Sequence, residues 1–264
     1  MNLRPDVRPP AVAGSFYPAD AAQLQHDVAT LLAQAPPPAP PPPRALIVPH
    51  AGYIYSGATA AAAYRQLESR ADSVHRVILL GPAHRVYLQG MAVPSTSAFA
   101  TPLGDVPLDL GGIAQALALP GVCRNDEAHR QEHALEVQLP FLQCVLGDFT
   151  LLPVVVGDCP AATVATLVDS LWRDPGTLLV VSSDLSHFQP SDSARRHDLD
   201  SCRRILAGDC ELRGSDACGA RPINGLLASA RGGTLQRQLL DYRNSADAGG
   251  DRQRVVGYGA FSLH

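Results

Sequence analysis

A chain of 264 residues, 46% hydrophobic and 17% charged, has enough apolar material for one large α/β domain or two small ones, and its composition excludes bulk disorder. A formal charge of −4 with no basic block argues against nucleic acid as the main partner. No apolar run approaches the roughly 20 residues of a membrane helix, and the first residues lack the apolar centre of a signal peptide. No membrane partner and a cytoplasmic location are therefore expected.

In chain order, a helix is predicted at about 20–34, followed by the proline-rich run 36–43, read as an exposed polyproline II spacer. β-like and α-like patterns then alternate. Strands are predicted at 45–49, 76–81, 91–94, 150–156, 177–182 and 254–262, and helices at 57–69, 109–118, 133–146, 160–173, 191–207 and 217–230. Such alternation points to a largely parallel sheet flanked by helices. In the tail, 235–242 and 255–263 flank a polar, Gly-rich link and are expected to pair antiparallel, which makes the sheet mixed. No break into two units is visible. The expected fold is α/β over 1–264 as a single domain, with a central mixed, mostly parallel sheet and helices on both faces.

Three apolar runs stop at turns that carry chemistry. Ala45–Val48 delivers His50 through Pro49, Val77–Leu80 delivers His84 through Gly81-Pro82, and Leu178–Val181 runs into Ser182-Ser183-Asp184-Leu185-Ser186-His187. Loops at the carboxyl ends of parallel strands are where α/β proteins place their sites. Imidazoles and a carboxylate repeated there suggest one metal or acid–base centre. Singly, each has a plainer reading: a turn histidine bonded to backbone, an N-cap aspartate, a surface histidine.

Further along, Glu132-His133 opens the predicted helix with Glu132 and Glu136 one turn apart, and His129 and His133 likewise. These residues are candidates for a pocket rim or for a solvated first turn; the HExxH order of zinc proteases is absent. Cys218 stands before Gly219 at a helix start, where the helix dipole favours thiolate. The other five cysteines have no metal-ligand spacing and read as free thiols. Neither a G-x-S-x-G elbow, a Walker A run nor a strand-linked GxGxxG is present.

Taken together, the segments 8–18, Pro49–Gly57, Leu80–His84, Glu132-His133, Glu136–Phe141, Ser182–His187, Cys218-Gly219, Pro222-Ile223, Leu240–Ser245 and Val255–Tyr258 resemble the Memo family, called AmmeMemoRadiSam system protein B in bacteria and archaea. That resemblance covers nearly the whole chain. It implies a fold like that of the LigB-type extradiol dioxygenases, with His50, His84 and Cys218 as metal ligands and His187 beside Asp184 as the acid–base pair. Beside these, Tyr53, Glu132 and His133 are candidates for the pocket. Iron(II) ranks first as cofactor by fold analogy, with copper or zinc as alternatives. The third ligand here is a thiolate where the dioxygenases use a carboxylate.

The expected function is a mononuclear non-haem metalloenzyme, redox or dioxygenase-like, acting on a small molecule or a modified protein. Competing readings are a metal- or peptide-binding module without turnover, a zinc-type hydrolase and a metal-handling protein. The bacterial family name also implies a functional link to a radical SAM protein and an AMMECR1-like protein.

Overall fold

The apolar runs at 45–48, 76–82, 150–156 and 177–182 form the middle of a nine-stranded sheet, as their near-continuous Val, Ile and Leu content requires of strands covered on both faces. A computed structural model describes residues 6–264. Its elements, in order, are β1 (Val7–Arg8), α1 (Ala21–Gln34), β2 (Ala45–Val48), α2 (Tyr53–Tyr64), β3 (Arg76–Pro82), β4 (Met91–Val93), β5 (Ala98–Thr101), β6 (Gly104–Pro107), α3 (Leu110–Leu117) and β7 (Val122–Arg124). They continue with α4 (Asp126–Arg130), α5 (Leu139–Val145), β8 (Thr150–Val156), α6 (Ala161–Leu171), β9 (Thr177–Ser182), β10 (His187–Gln189), α7 (Ser191–Ala207), α8 (Ala220–Ala228), β11 (Arg237–Asn244) and β12 (Val255–Leu263).

The sheet runs β10-β12-β2-β9-β3-β8-β4-β7, with β11 pairing β12 from outside this path. Strands β2, β9, β3 and β8 are mutually parallel, so their carboxyl ends share one edge. The tail pairs as expected: β11 and β12 are antiparallel, and β12 is antiparallel to β2. At the other side β4 runs antiparallel to β8, and the sheet is mixed. The helices fall into two groups, α1 with α2 and α5, and α3 and α8 with α6, while α7 lies against β11 and β12. Both groups pack on one contiguous core that includes Leu46, Ile78, Leu152, Val180 and Phe261.

Three local expectations change. The helix predicted at 133–146 begins as α5 only at Leu139, after a 3-10 turn at Glu136–Gln138. Pro140 suits a first helical turn, where its missing N–H costs nothing. Upstream, Glu132 Oε1 takes the Ala134 N–H at 2.9 Å, a side-chain bond that competes with helix. The helix predicted at 57–69 starts earlier, at Tyr53, and gives way after Tyr64 to a 3-10 stretch. A small second sheet, β1-β5-β6, also appears; its short strands lack the apolar runs used to find the others.

Within 36–43, Pro36, Pro37, Pro40 and Pro41 are exposed. The run is nonetheless tied down. Ala39 N–H donates to Gln66 Oε1 at 2.9 Å, and Arg70 Nη1 donates to the Pro43 carbonyl at 2.6 Å. Among the described residues no helix is long and apolar enough to cross a membrane.

Candidate metal centre

Because β2, β9 and β3 are neighbours and parallel, the residues just past their ends converge. His50 lies two residues beyond β2, Asp184 two beyond β9 and His84 two beyond β3. His133 enters from the non-helical stretch between α4 and α5, and one ring nitrogen each of His50, His84 and His133 lies within 4.8 Å of the others. The rings pack at centroid separations of 5.1 Å (His50–His84), 5.4 Å (His50–His133) and 4.8 Å (His84–His133).

Hydrogen bonding fixes the tautomers of two of these rings. Ser182 Oγ donates its one proton to the Ala134 carbonyl at 2.6 Å and accepts from Gln138 Nε2 at 2.8 Å. It is also 2.8 Å from His50 Nδ1, so that nitrogen must be the donor. His84 Nδ1 stands 2.9 Å from Glu132 Oε1, an ionised carboxylate that only accepts. With each Nδ1 so committed, the Nε2 atoms of both rings are left for another partner. His133 Nδ1 is buried with no hydrogen-bond partner among the described residues.

Burial, reinforced by the charge of His84, holds His50 well below the usual imidazole range. Burial and His50 together bring His133 down to about 4. For Glu132, burial acts upward, but the hydrogen bond and charge of His84 and the N–H groups of Ala134 and His84 outweigh it and hold the carboxyl at about 2. Imidazoles backed by a fixed carboxylate are the donor set that a divalent transition metal takes, including the carboxylate–histidine support typical of ligating histidines. The His133 Nδ1, without a hydrogen bond and 3.5 Å from Glu132 Oε1, and the Nε2 atoms of His50 and His84 fit such an ion.

Cys218 adjoins the cluster. Its Sγ lies 3.3 Å from His50 Nε2 and accepts the Asp184 N–H at 3.2 Å. Gly219 lets its loop press onto β9: a Cβ there would stand 2.6 Å from Ser183 Cβ. The expectation of a thiol lowered by a helix start is corrected. Burial, then the Asp184 charge, raise the Cys218 thiol well above its ordinary range. Asp184 is buried, its Oδ1 accepts the His50 N–H at 2.7 Å, and burial raises its carboxyl. His187 is half-buried at the start of β10, close enough for its charge to act on His50 and Asp184. Next to it Phe188 adopts φ 61, which strains a non-glycine residue. Tyr53 donates its hydroxyl to the Val137 carbonyl at 2.6 Å and so braces the turn after His133.

Two clefts reach the cluster. One of about 440 Å³ is lined by Phe16, Tyr55, Arg254 and Tyr258 and opens on His133 and Asp184. The other, of about 210 Å³, is lined by Val86, Leu88 and Arg221 and opens on His84 and Cys218.

Sequence alone did not point to Ser182 and Gln138, which orient the His50 ring, and the expectation of Glu136 at a pocket rim or in a solvated turn is corrected: it is buried in a brace with Arg8 and Tyr17. Buried Glu136 accepts from Arg8 Nη1 at 2.7 Å and from the Tyr17 hydroxyl at 2.7 Å. A carboxylate inside an otherwise apolar run, Val137-Gln138-Leu139-Pro140-Phe141 following it, was the available signal.

Fold and site together define a mixed α/β protein with a histidine cluster able to hold a metal at the carboxyl edge of its sheet. The family model described as Memo-like protein matches residues 8–262, and the chain belongs to the Memo family. A MEMO1 family protein of Aquifex aeolicus (strain VF5) is 35% identical over 264 residues, covering 96% of this chain and 97% of the relative. One from Methanosarcina barkeri is 36% identical over 268 residues, covering 96% and 98%. The crystal structure of an uncharacterized protein from Escherichia coli K12 shares the fold, with a TM-score of 0.50 and 14% identity over 81% of this chain and 98% of that one.

Proposed function

We propose that this protein is a mononuclear metalloenzyme of redox, dioxygenase-like type, whose ion is held by His50, His84 and His133 with Cys218 as a sulfur ligand. The observation that carries the reading is the convergence of three ring nitrogens within 4.8 Å. The 3.3 Å between Cys218 Sγ and His50 Nε2 suits two ligands of one ion, given metal–ligand bonds of about 2.0 Å to nitrogen and 2.3 Å to sulfur. A bound cation also supplies the charge that converts a raised thiol to thiolate.

Four protein donors favour iron(II) over zinc. Zinc held by four protein ligands is a closed, structural site, whereas a six-coordinate ion keeps two positions for reactants. A redox-active ion there supplies one-electron chemistry toward an organic substrate. The chain's residues do the rest. Glu132 orients His84, Ser182 orients His50, and Phe16, Tyr55 and Tyr258 wall the larger cleft. Asp184, which lines the larger cleft and accepts the His50 N–H, and the neighbouring His187 are the acid–base pair of this reading.

A zinc hydrolase is the second reading, favoured by the three-histidine set itself, which leaves a fourth position for water if Cys218 stays a thiol. Metal content of the purified protein and of His50→Ala, His84→Ala, His133→Ala and Cys218→Ser variants tests the centre. Metal should be lost in each histidine variant, and unchanged content in all of them would remove the site. Turnover of a catechol panel under oxygen by the iron-loaded protein separates oxygenase from hydrolase.

A further inference from the structure

The two clefts that reach the histidine cluster have no lining residue in common. Sheet order puts them on opposite flanks. The larger is built on the β2 and β12 side, from Ala51, Gly52, Val256 and Tyr258, and opens on His133 and Asp184. The smaller is built on the β3 and β8 side, from Pro82, Val156 and Gly157 with the start of α8, and opens on His84 and Cys218. Between them lie β9 and the cluster.

Size and chemistry separate their occupants. About 440 Å³ falls within the 300–1,000 Å³ usual for organic ligands, and about 210 Å³ falls below it. The smaller cleft has about half the volume of the larger. The acid–base candidate Asp184 lines only the larger cleft, beside aromatic walls. The smaller one has a rigid wall. The Asp158 N–H donates to the Leu88 carbonyl at 2.6 Å, and the Gly90 N–H donates to the Asp158 carbonyl at 2.9 Å. A Cβ at Gly157 would meet the Leu88 carbonyl oxygen at 2.0 Å, so only glycine allows this close approach. At the mouth, Arg221 Nη2 pairs with Asp158 Oδ1 at 2.7 Å.

We infer that the centre is a two-entrance site: the smaller cleft, over His84 and Cys218, admits a small co-reactant of the class of dioxygen or water, while the organic substrate enters by the larger, aromatic-walled cleft over His133 and Asp184. This rests on the metal reading above. The division keeps the small reactant from queuing behind a bound substrate.

The test uses the full chain loaded with cobalt(II), whose visible spectrum reports ligands at the ion, with azide as the small probe and 4-phenylimidazole as the bulky one. Val86→Trp narrows the small cleft and should slow azide association at least tenfold while leaving 4-phenylimidazole unchanged. Ser15→Trp, at the lip of the larger cleft, should do the reverse. Arg221→Ala removes the cation of the half-exposed pair at the small mouth, leaves the Asp158 carboxylate uncompensated and should slow anionic azide about threefold, an arm that does not depend on Val86→Trp folding. Equal slowing of azide by both tryptophan variants, or azide rates unmoved by Val86→Trp and Arg221→Ala, overturns the inference. A chain that takes up no cobalt at the histidines overturns the metal reading instead, so the two failures are distinguishable.

Discussion

Both carboxylate oxygens of Glu132 are committed to His84: Oε1 accepts from the ring Nδ1 at 2.9 Å and Oε2 from the backbone N–H at 2.6 Å. The ring is thus fixed by its own residue's main chain and side chain together. Oε1 also takes the Ala134 N–H, so Glu132→Gln keeps size but places an amide N–H against at least one of three donors, and no amide orientation satisfies them all. Metal affinity, measured by chelator competition, should fall about 10–100-fold, the usual cost of losing such support. The fold should persist. Unchanged affinity would show that His84 is not a ligand.

Arg8 and Glu136 form the buried brace under this arrangement. Glu136 is fully buried and takes Arg8 Nη1, the Ala11 and Val12 N–H groups and the Tyr17 hydroxyl. Arg8 also donates to the His129 and Glu132 carbonyls at 2.7 Å each, so one guanidinium spans the segment that carries His133. Arg8→Ala leaves a buried carboxylate without its counter-charge and should cost about 3–5 kcal/mol in urea unfolding. A loss below about 1 kcal/mol would mean that the backbone donors alone hold Glu136.

Much of this was legible in the sequence. Continuous Val, Ile and Leu runs located β2, β3, β8 and β9, and their shared direction explains why His50, His84 and Asp184 meet. The role of His133 was harder to read, because helical periodicity carried the predicted helix through a stretch that the Glu132 side chain and Pro140 keep out of it. The thiol of Cys218 was misjudged for a related reason. Sequence shows the nearby helix start but not the burial or the neighbouring Asp184 carboxylate, which act the other way. Partners such as Ser182 and Arg8 come from chain positions more than 100 residues away, which no local pattern records.

Stability should depend on pH through the buried histidines. Burial depresses His129 from its ordinary value near 6.5 to about 4, and its Nε2 lies 3.0 Å from the Ala92 carbonyl. The unfolded chain takes up the proton first, so the contribution is fully present above pH 6.5 and is lost as pH falls toward 4. By pH 5 the loss is about 2 kcal/mol for this residue. His133, also near 4, adds a similar slope, and His50 acts in the same direction. Urea midpoints of the metal-free protein should fall between pH 7 and 5, and His129→Gln should flatten the fall by about one proton. An unaltered slope in that variant would show that His129 is not held neutral.

Gly219 gives a way to move Cys218 without altering its sulfur. A Cβ at 219 would stand 2.6 Å from Ser183 Cβ, 2.7 Å from Ser183 Oγ and 2.8 Å from the Ser182 carbonyl oxygen, all parts of the wall that also holds His50. The wall cannot retreat easily, since the Gly219 N–H already donates to Ser183 Oγ at 2.9 Å. Gly219→Ala should therefore push the 218–219 turn outward and destabilise the protein by about 1–3 kcal/mol. Gly214→Ala in the same loop meets nothing within 4 Å and serves as the control. In the cobalt(II)-loaded protein the near-ultraviolet thiolate-to-metal band should weaken in Gly219→Ala and vanish in Cys218→Ser, while cobalt stays bound to the histidines. A band untouched by Cys218→Ser would take sulfur out of the ligand set and shift the balance toward the three-histidine hydrolase.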